Sequence, residues 1–151
     1  MNQRYASGAI LTDGQTPPAP NADMQLYYQP TTFPGARLPH VWLYDRQGGK
    51  HSSLDLTGKG RFTLLTGIGG EGWIAAAEQV AAELGLPIHC VKIGPRCAYE
   101  DHMGDWARAR EVTDAGCVLV RPDHHVAWRS PTASTDPRAE LTRALRAVLG
   151  R

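Results

Sequence analysis

The chain has 151 residues, enough for one domain that buries roughly two-thirds of its extended surface without a staple. Sixteen basic and fifteen acidic residues leave a net charge of +1, which gives no strong field for nucleic acid or an anionic membrane. Three Cys, at 90, 97 and 117, at no metal or redox spacing predict reduced thiols and a cytoplasmic setting. The polar N-terminus predicts no signal peptide, and no run approaches the ~20 apolar residues of a membrane span.

Residues 1–36 hold Pro17, Pro18, Pro20, Pro30 and Pro34 among few clustered apolar residues. Proline fixes φ and removes a donor, so neither helix nor central strand is expected. The reading is an extended arm or linker, pinned to a surface by Tyr27, Tyr28 and Phe33. A single domain over residues 37–151 follows. Val41–Tyr44 and Ser52–Leu56 read as strands around the turn Asp45–Lys50, with Gly48-Gly49. Phe62–Thr66 is a continuous apolar strand, expected to be buried on both faces.

Glu71–Leu84 is the clearest helix. Trp73, Ala77, Val80 and Leu84 make one buried stripe, Glu71 sits in the first turn, and Gly85 and Pro87 end it. Ile88–Ile93 is the next strand, so the βαβ unit predicts parallel pairing and a right-handed crossover. Gly104–Val112 reads as a short helix carrying Trp106. Cys117–Val120 and Val126–Trp128 form an antiparallel pair around Pro122-Asp123. Asp136 and Pro137 cap and open a last helix, with Leu141, Leu145 and Val148 on its buried face and Gly150 at its end.

The fold class is therefore α/β, with a central mixed β-sheet flanked by helices. A β-α-β-α-β-β-α core follows an N-terminal hairpin and an extended arm, which is the thioredoxin-like order.

Gly67-Ile68-Gly69-Gly70-Glu71-Gly72 matches G-x-G-x-x-G between strand and helix, where glycines can admit a pyrophosphate. The dinucleotide fingerprint also needs an acid at the end of the second strand. Here that strand ends Lys92-Ile93-Gly94-Pro95, and Glu71 would face the phosphates with like charge. A plain tight turn is the simpler reading.

Redox-active thioredoxin-like proteins carry Cys-x-x-Cys at this same junction, where the helix dipole lowers a thiol pKa. Gly and Glu stand there instead, and Ala115-Gly116-Cys117 replaces the proline that precedes the antiparallel strand. Cys90 and Cys117 read as small core residues, Cys97 as an exposed loop thiol. His124 and His125 point to opposite faces and cannot share one metal. For them, and for His40, His89 and His102, a satisfied or solvated ring is the simpler reading. Glu100, Asp101 and Asp105 read as a solvated acidic loop, and Arg138, Arg143 and Arg146 as the outer face of the last helix. Trp73 is core, and Trp42 and Trp128 are candidate interface anchors.

Two tracts carry a resemblance: Pro34–Leu43 (Pro-Gly-Ala-Arg-Leu-Pro-His-Val-Trp-Leu) and Cys117–Arg129 (Cys-Val-Leu-Val-Arg-Pro-Asp-His-His-Val-Ala-Trp-Arg). Together they resemble the C-terminal thioredoxin-like domain of FAD-dependent aromatic-ring hydroxylases of the phenol and chlorophenol type. Asn2–Ser7, Tyr27–Pro30 and Phe62–Gly67 are similar to further segments of that family. The resemblance implies a full-length enzyme that uses FAD and NAD(P)H, with both cofactor sites outside this chain. It implies a catalytic flavin domain as partner, in cis or in trans, and a role in supporting dimers. No family catalytic, cofactor-binding or metal residue maps onto this chain. The expectation is thus a non-catalytic accessory domain. Two readings from other classes stand beside it: a single-Cys thiol enzyme, and a small-ligand binding module that uses the Gly67–Trp73 loop.

Overall fold

Residues 30–150 are described by the structure, a computed structural model. The expected role of Tyr27 and Tyr28, and the similarity of Asn2–Ser7, fall outside the described residues. Seven strands and three helices follow in chain order: β1 (Trp42–Asp45), β2 (Lys50–Ser52), β3 (Phe62–Thr66), α1 (Glu71–Leu84), β4 (Ile88–Lys92), β5 (Tyr99–Glu100), α2 (Asp105–Ala109), β6 (Cys117–Val120), β7 (Val126–Ser130) and α3 (Pro137–Leu149).

The main sheet has the order β4-β3-β6-β7. β3 and β4 run parallel and register Phe62 on Ile88, as a helical crossover requires. β6 lies antiparallel to β3 and to β7, so the sheet is mixed as expected. The sheet separates two apolar layers. On one side Leu64, Cys117, Leu119 and Trp128 pack with Trp73, Ala77 and Val80 of α1 and Leu141 and Leu145 of α3. On the other, Leu65, Val118, Val120 and Val126 meet Leu38, Val41 and Leu43 with Trp106 of α2. Alternation along β3 and β6 sends neighbouring side chains into opposite layers, which explains two strands buried at almost every position.

The helix ends follow their caps. Gly85 takes φ 65° and its N–H reaches the Ala81 carbonyl, closing α1. The Asp136 side chain accepts from Ala139 N at 3.0 Å, and Pro137 follows at the first helical position.

Three local expectations need correction. β2 spans Lys50–Ser52 rather than Ser52–Leu56. The Asp45 carboxylate accepts from Gln47 N and Gly49 N, tightening the turn so that pairing starts at Lys50. Beyond Ser52 the chain turns, with Asp55 N on Ser52 O and Leu56 N on Ser53 O. α2 covers only Asp105–Ala109 within the expected Gly104–Val112, because Glu111 adopts φ 58° and breaks the helical path. β5 escaped sequence reading. Its two residues pair with Tyr44 and Asp45, placing it beside β1 in a second, three-stranded sheet of order β2-β1-β5.

Candidate functional site

The strand-to-helix corner between β3 and α1 is the place where this topology would do chemistry. Gly67 begins it, and a Cβ there would lie 2.6 Å from the Asp114 carbonyl oxygen. The segment Thr113–Gly116 lies directly across the corner. Gly69 N donates to Asp114 O at 3.1 Å, Thr66 Oγ1 to Gly116 O at 2.7 Å, and Trp73 Nε1 to Ala115 O at 2.8 Å. A Cβ on Gly70 would collide with the Thr66 side chain. The glycines at 67 and 70 are therefore needed for close approach of protein to protein. Gly72 differs, since a Cβ there would only touch Pro137 at 3.5 Å.

A second constellation lies at the outer end of β7. Arg129 is 3% exposed, and its Nη1 donates to Thr32 Oγ1 at 3.1 Å and lies 3.6 Å from Glu111 Oε1. Glu111 Oε1 also accepts from Thr32 N at 2.8 Å and from the Thr31 hydroxyl. The Phe33 ring lies 5.5 Å from the guanidinium carbon, within cation–π range. Beyond it, Gly35 N donates to Val126 O, Val126 N to Ala36 O, and Leu38 N to His124 O. Residues 31–38 thus cover the free edge of β7, which would otherwise present unpaired amides. Sequence reading placed Phe33 as an anchor but missed Arg129 and Glu111. The available signal was an arginine closing the run Val-Ala-Trp-Arg, since a charge inside a buried strand requires a counter-charge.

Residues 31–151 match the family described as aromatic-ring hydroxylase, C-terminal. The chain belongs to the aromatic-ring hydroxylase C-terminal family. It is 49% identical to a 2,4-dichlorophenol 6-monooxygenase of Cupriavidus pinatubonensis over 152 residues, covering 100% of this chain and 25% of that protein. A phenol 2-monooxygenase of a Pseudomonas species is 45% identical over 93% of this chain and 23% of its own length. Among solved structures, the flavin-dependent monooxygenase PieE, in complex with FAD and substrate, superposes with a TM-score of 0.90 at 46% identity. That match covers 99% of this chain and 25% of PieE. The chain spans about a quarter of the length of the relatives it matches.

This chain keeps the thioredoxin-like order of elements, with a corner packed by its own backbone. Pyrophosphate does not fit the Gly67–Gly72 loop: Gly69 N already serves Asp114 O, and Gly70 N serves Gly67 O. Glu71 stands in the first turn of α1 and pairs with Lys92, whose ammonium holds the carboxyl below its ordinary range. The loop is a packed joint rather than a phosphate cradle.

The thiols are turned away from reactivity. Burial in the apolar layer drives the Cys117 thiol upward, and burial pushes Cys90 up to about 11. Cys97 is 7% exposed, correcting the expected exposed loop thiol. Its loop folds back at Gly94, whose N–H donates to Tyr99 O while Cys97 N donates to Gly94 O.

The histidines scatter. His40 Nδ1 meets Ser52 Oγ at 2.6 Å, His102 pairs with Glu100 at 2.9 Å, and His124 Nδ1 meets Thr57 Oγ1 at 2.9 Å. Burial lowers the pKa of His89, with Arg61 and Lys59 adding to it. Asp101 is taken up in capping Trp106 N and Ala107 N, and Asp105 pairs with Arg108. Among the described residues no group of three or more His, Cys, Asp or Glu could hold a metal ion. Arg138 and Arg146 both reach Glu83 on α1, while Arg143 stays on the exposed face of α3. Trp128 is 4% exposed and packs edge-on against Trp73 at 5.7 Å, so it is a core residue and not an interface anchor. Trp42 is 40% exposed, with Lys50 Nζ 4.3 Å above its ring. No helix among the described residues is long and apolar enough to cross a membrane.

Proposed function

We propose that this chain is the non-catalytic C-terminal module of an FAD- and NAD(P)H-dependent phenol or chlorophenol monooxygenase. Its partner is then the catalytic flavin domain, joined in cis. The observation that carries the reading is 49% identity, across the whole chain, to one quarter of a 2,4-dichlorophenol 6-monooxygenase. The chemistry supports it. The corner where this topology would place a redox dithiol is filled by Thr113–Gly116, and burial keeps Cys90 and Cys117 protonated at neutral pH. In such an enzyme the flavin carries the hard chemistry, and this module supplies structure to the part that holds it.

The purified chain should retain no flavin after gel filtration with excess FAD, and should not oxidise NADPH in the presence of phenols. Joined behind the first three-quarters of the Cupriavidus monooxygenase, in place of that protein's own last quarter, it should restore a yellow protein that consumes NADPH with chlorophenol. Stoichiometric flavin retained by the isolated chain would overturn the reading.

A further inference from the structure

The basic side chains near the corner and on α3 reach carboxylates, Lys92 on Glu71 and Arg138 on Glu83. The other end of the main sheet differs. There Lys59 and Arg61 lead into β3, and His89 stands near the start of β4. Among the described residues these three side chains make no hydrogen bond and no ion pair.

The strands bring them together. Thr63 and His89 are register partners across the parallel pair β3 and β4, so their side chains share one face of the sheet. It is the face of Leu65 and Val91, two residues further along each strand. Thr63 is fully buried and its Oγ1 has no hydrogen-bond partner. Arg61 Nε, two residues earlier, is also buried without one. Folds retain few such orphaned groups, so each one calls for a partner. β4 is an edge strand, and the half-buried His89 opens the group to solvent. Burial, and then the charges of Arg61 and Lys59, hold the His89 ring below its ordinary pKa. No carboxylate acts on that ring to offset them. The loop before β3 is held in an unusual path, with Gly58, Lys59 and Gly60 all at positive φ and Arg61 N donating to Gly58 O at 3.2 Å.

The cluster thus offers a hydroxyl, a guanidinium, an ammonium and an imidazole, and it lacks acceptors and negative charge. A phosphate group supplies both, through oxygens that take charge-assisted hydrogen bonds from several donors at once. We infer that the start of β3 and β4 is a binding site for a phosphate group. Arg61 and Lys59 supply the charge, His89 forms the solvent side, and the Thr63 hydroxyl closes the inner end. The free ion and a phosphate ester such as a nucleotide carry this same group. The site lies at the opposite end of β3 from the Gly67–Gly72 loop and is independent of the module reading above.

The test is a titration of the purified chain with inorganic phosphate and, separately, with adenosine monophosphate. Chloride at equal ionic strength is the control. Melting temperature should rise with phosphate concentration, and the His89 imidazole resonances should move with it. Lys59→Gln and Arg61→Gln should each weaken the apparent affinity about tenfold, while Arg143→Gln on exposed α3 leaves it unchanged. Tighter binding of the nucleotide than of inorganic phosphate makes an ester the ligand, and equal or weaker binding makes it the free ion. Thr63→Val separates a site from a merely orphaned core hydroxyl. In chloride it should melt higher than the native chain, and phosphate should then raise its melting temperature less. A melting temperature indifferent to phosphate overturns the site. So does a response to phosphate that Arg61→Gln and Thr63→Val share in full with the native chain.

Discussion

Arg129 and Glu111 face each other across the end of the main sheet, guanidinium nitrogen to carboxylate oxygen at 3.6 Å, with the Arg129 side chain 3% exposed. Thr31 and Thr32 share the same carboxylate oxygen, so this pair fastens the entering segment to the domain. One buried charge and its partner therefore hold Thr31 and Thr32 against the end of β7.

Replacing Glu111 by Ala should destabilise the domain by about 1–3 kcal/mol. It removes the acceptor shared by two threonines and leaves Arg129 less compensated, while the partial exposure of Glu111 limits the loss. Urea unfolding of the full chain would measure it. An unchanged midpoint would show that the segment is held by other contacts.

The glycines of the corner should behave oppositely to one another. Gly67→Ala forces a methyl against the Asp114 backbone and should cost about 1–3 kcal/mol, as overpacking does. Gly72→Ala meets only Pro137 at ordinary contact distance in the first turn of α1, and should be neutral or stabilise by up to about 1 kcal/mol. Thermal melts of the two variants decide. A phosphate-binding loop would instead show both through lost ligand affinity.

Trp73→Phe removes the donor to Ala115 O and opens space beside Trp128. A loss of about 2–4 kcal/mol is expected from the orphaned carbonyl and the cavity together. Near-ultraviolet circular dichroism should lose the contribution of the paired indoles, which a surface tryptophan could not supply.

The buried thiols make stability depend on alkaline pH. Cys90 is held protonated in the fold up to about 11, whereas an unfolded thiol ionises near 9.0. Between these values the unfolded chain binds fewer protons than the folded one, so stability falls as pH rises. The contribution is fully present below pH 9 and lost by about pH 11. Melting temperatures across that window, compared with Cys90→Ala, would show it. A native chain whose three thiols all react within seconds at pH 8 would contradict the burial described here.

Local patterns in the chain fixed most elements. α1 spans the predicted Glu71–Leu84, and β3 and β6 match their apolar runs, because periodicity and glycine stops act within a few residues. β5 was illegible. Two residues carry no periodic signal and become a strand only by pairing with Tyr44 and Asp45. Cys97 looked like an exposed loop thiol because its cover comes from a backbone fold at Gly94.

What the amino-acid order determined alone was the succession of strands and helices, the parallel βαβ unit, and the loss of the redox cysteines from the corner. What only the tertiary structure decided was how that corner is closed and how the entering segment is held. Thr113–Gly116 and Gly67–Gly70, like Glu111 and Arg129, are far apart along the chain. Their contacts depend on three-dimensional approach and on the burial of one charge beside another, which no local window of sequence contains.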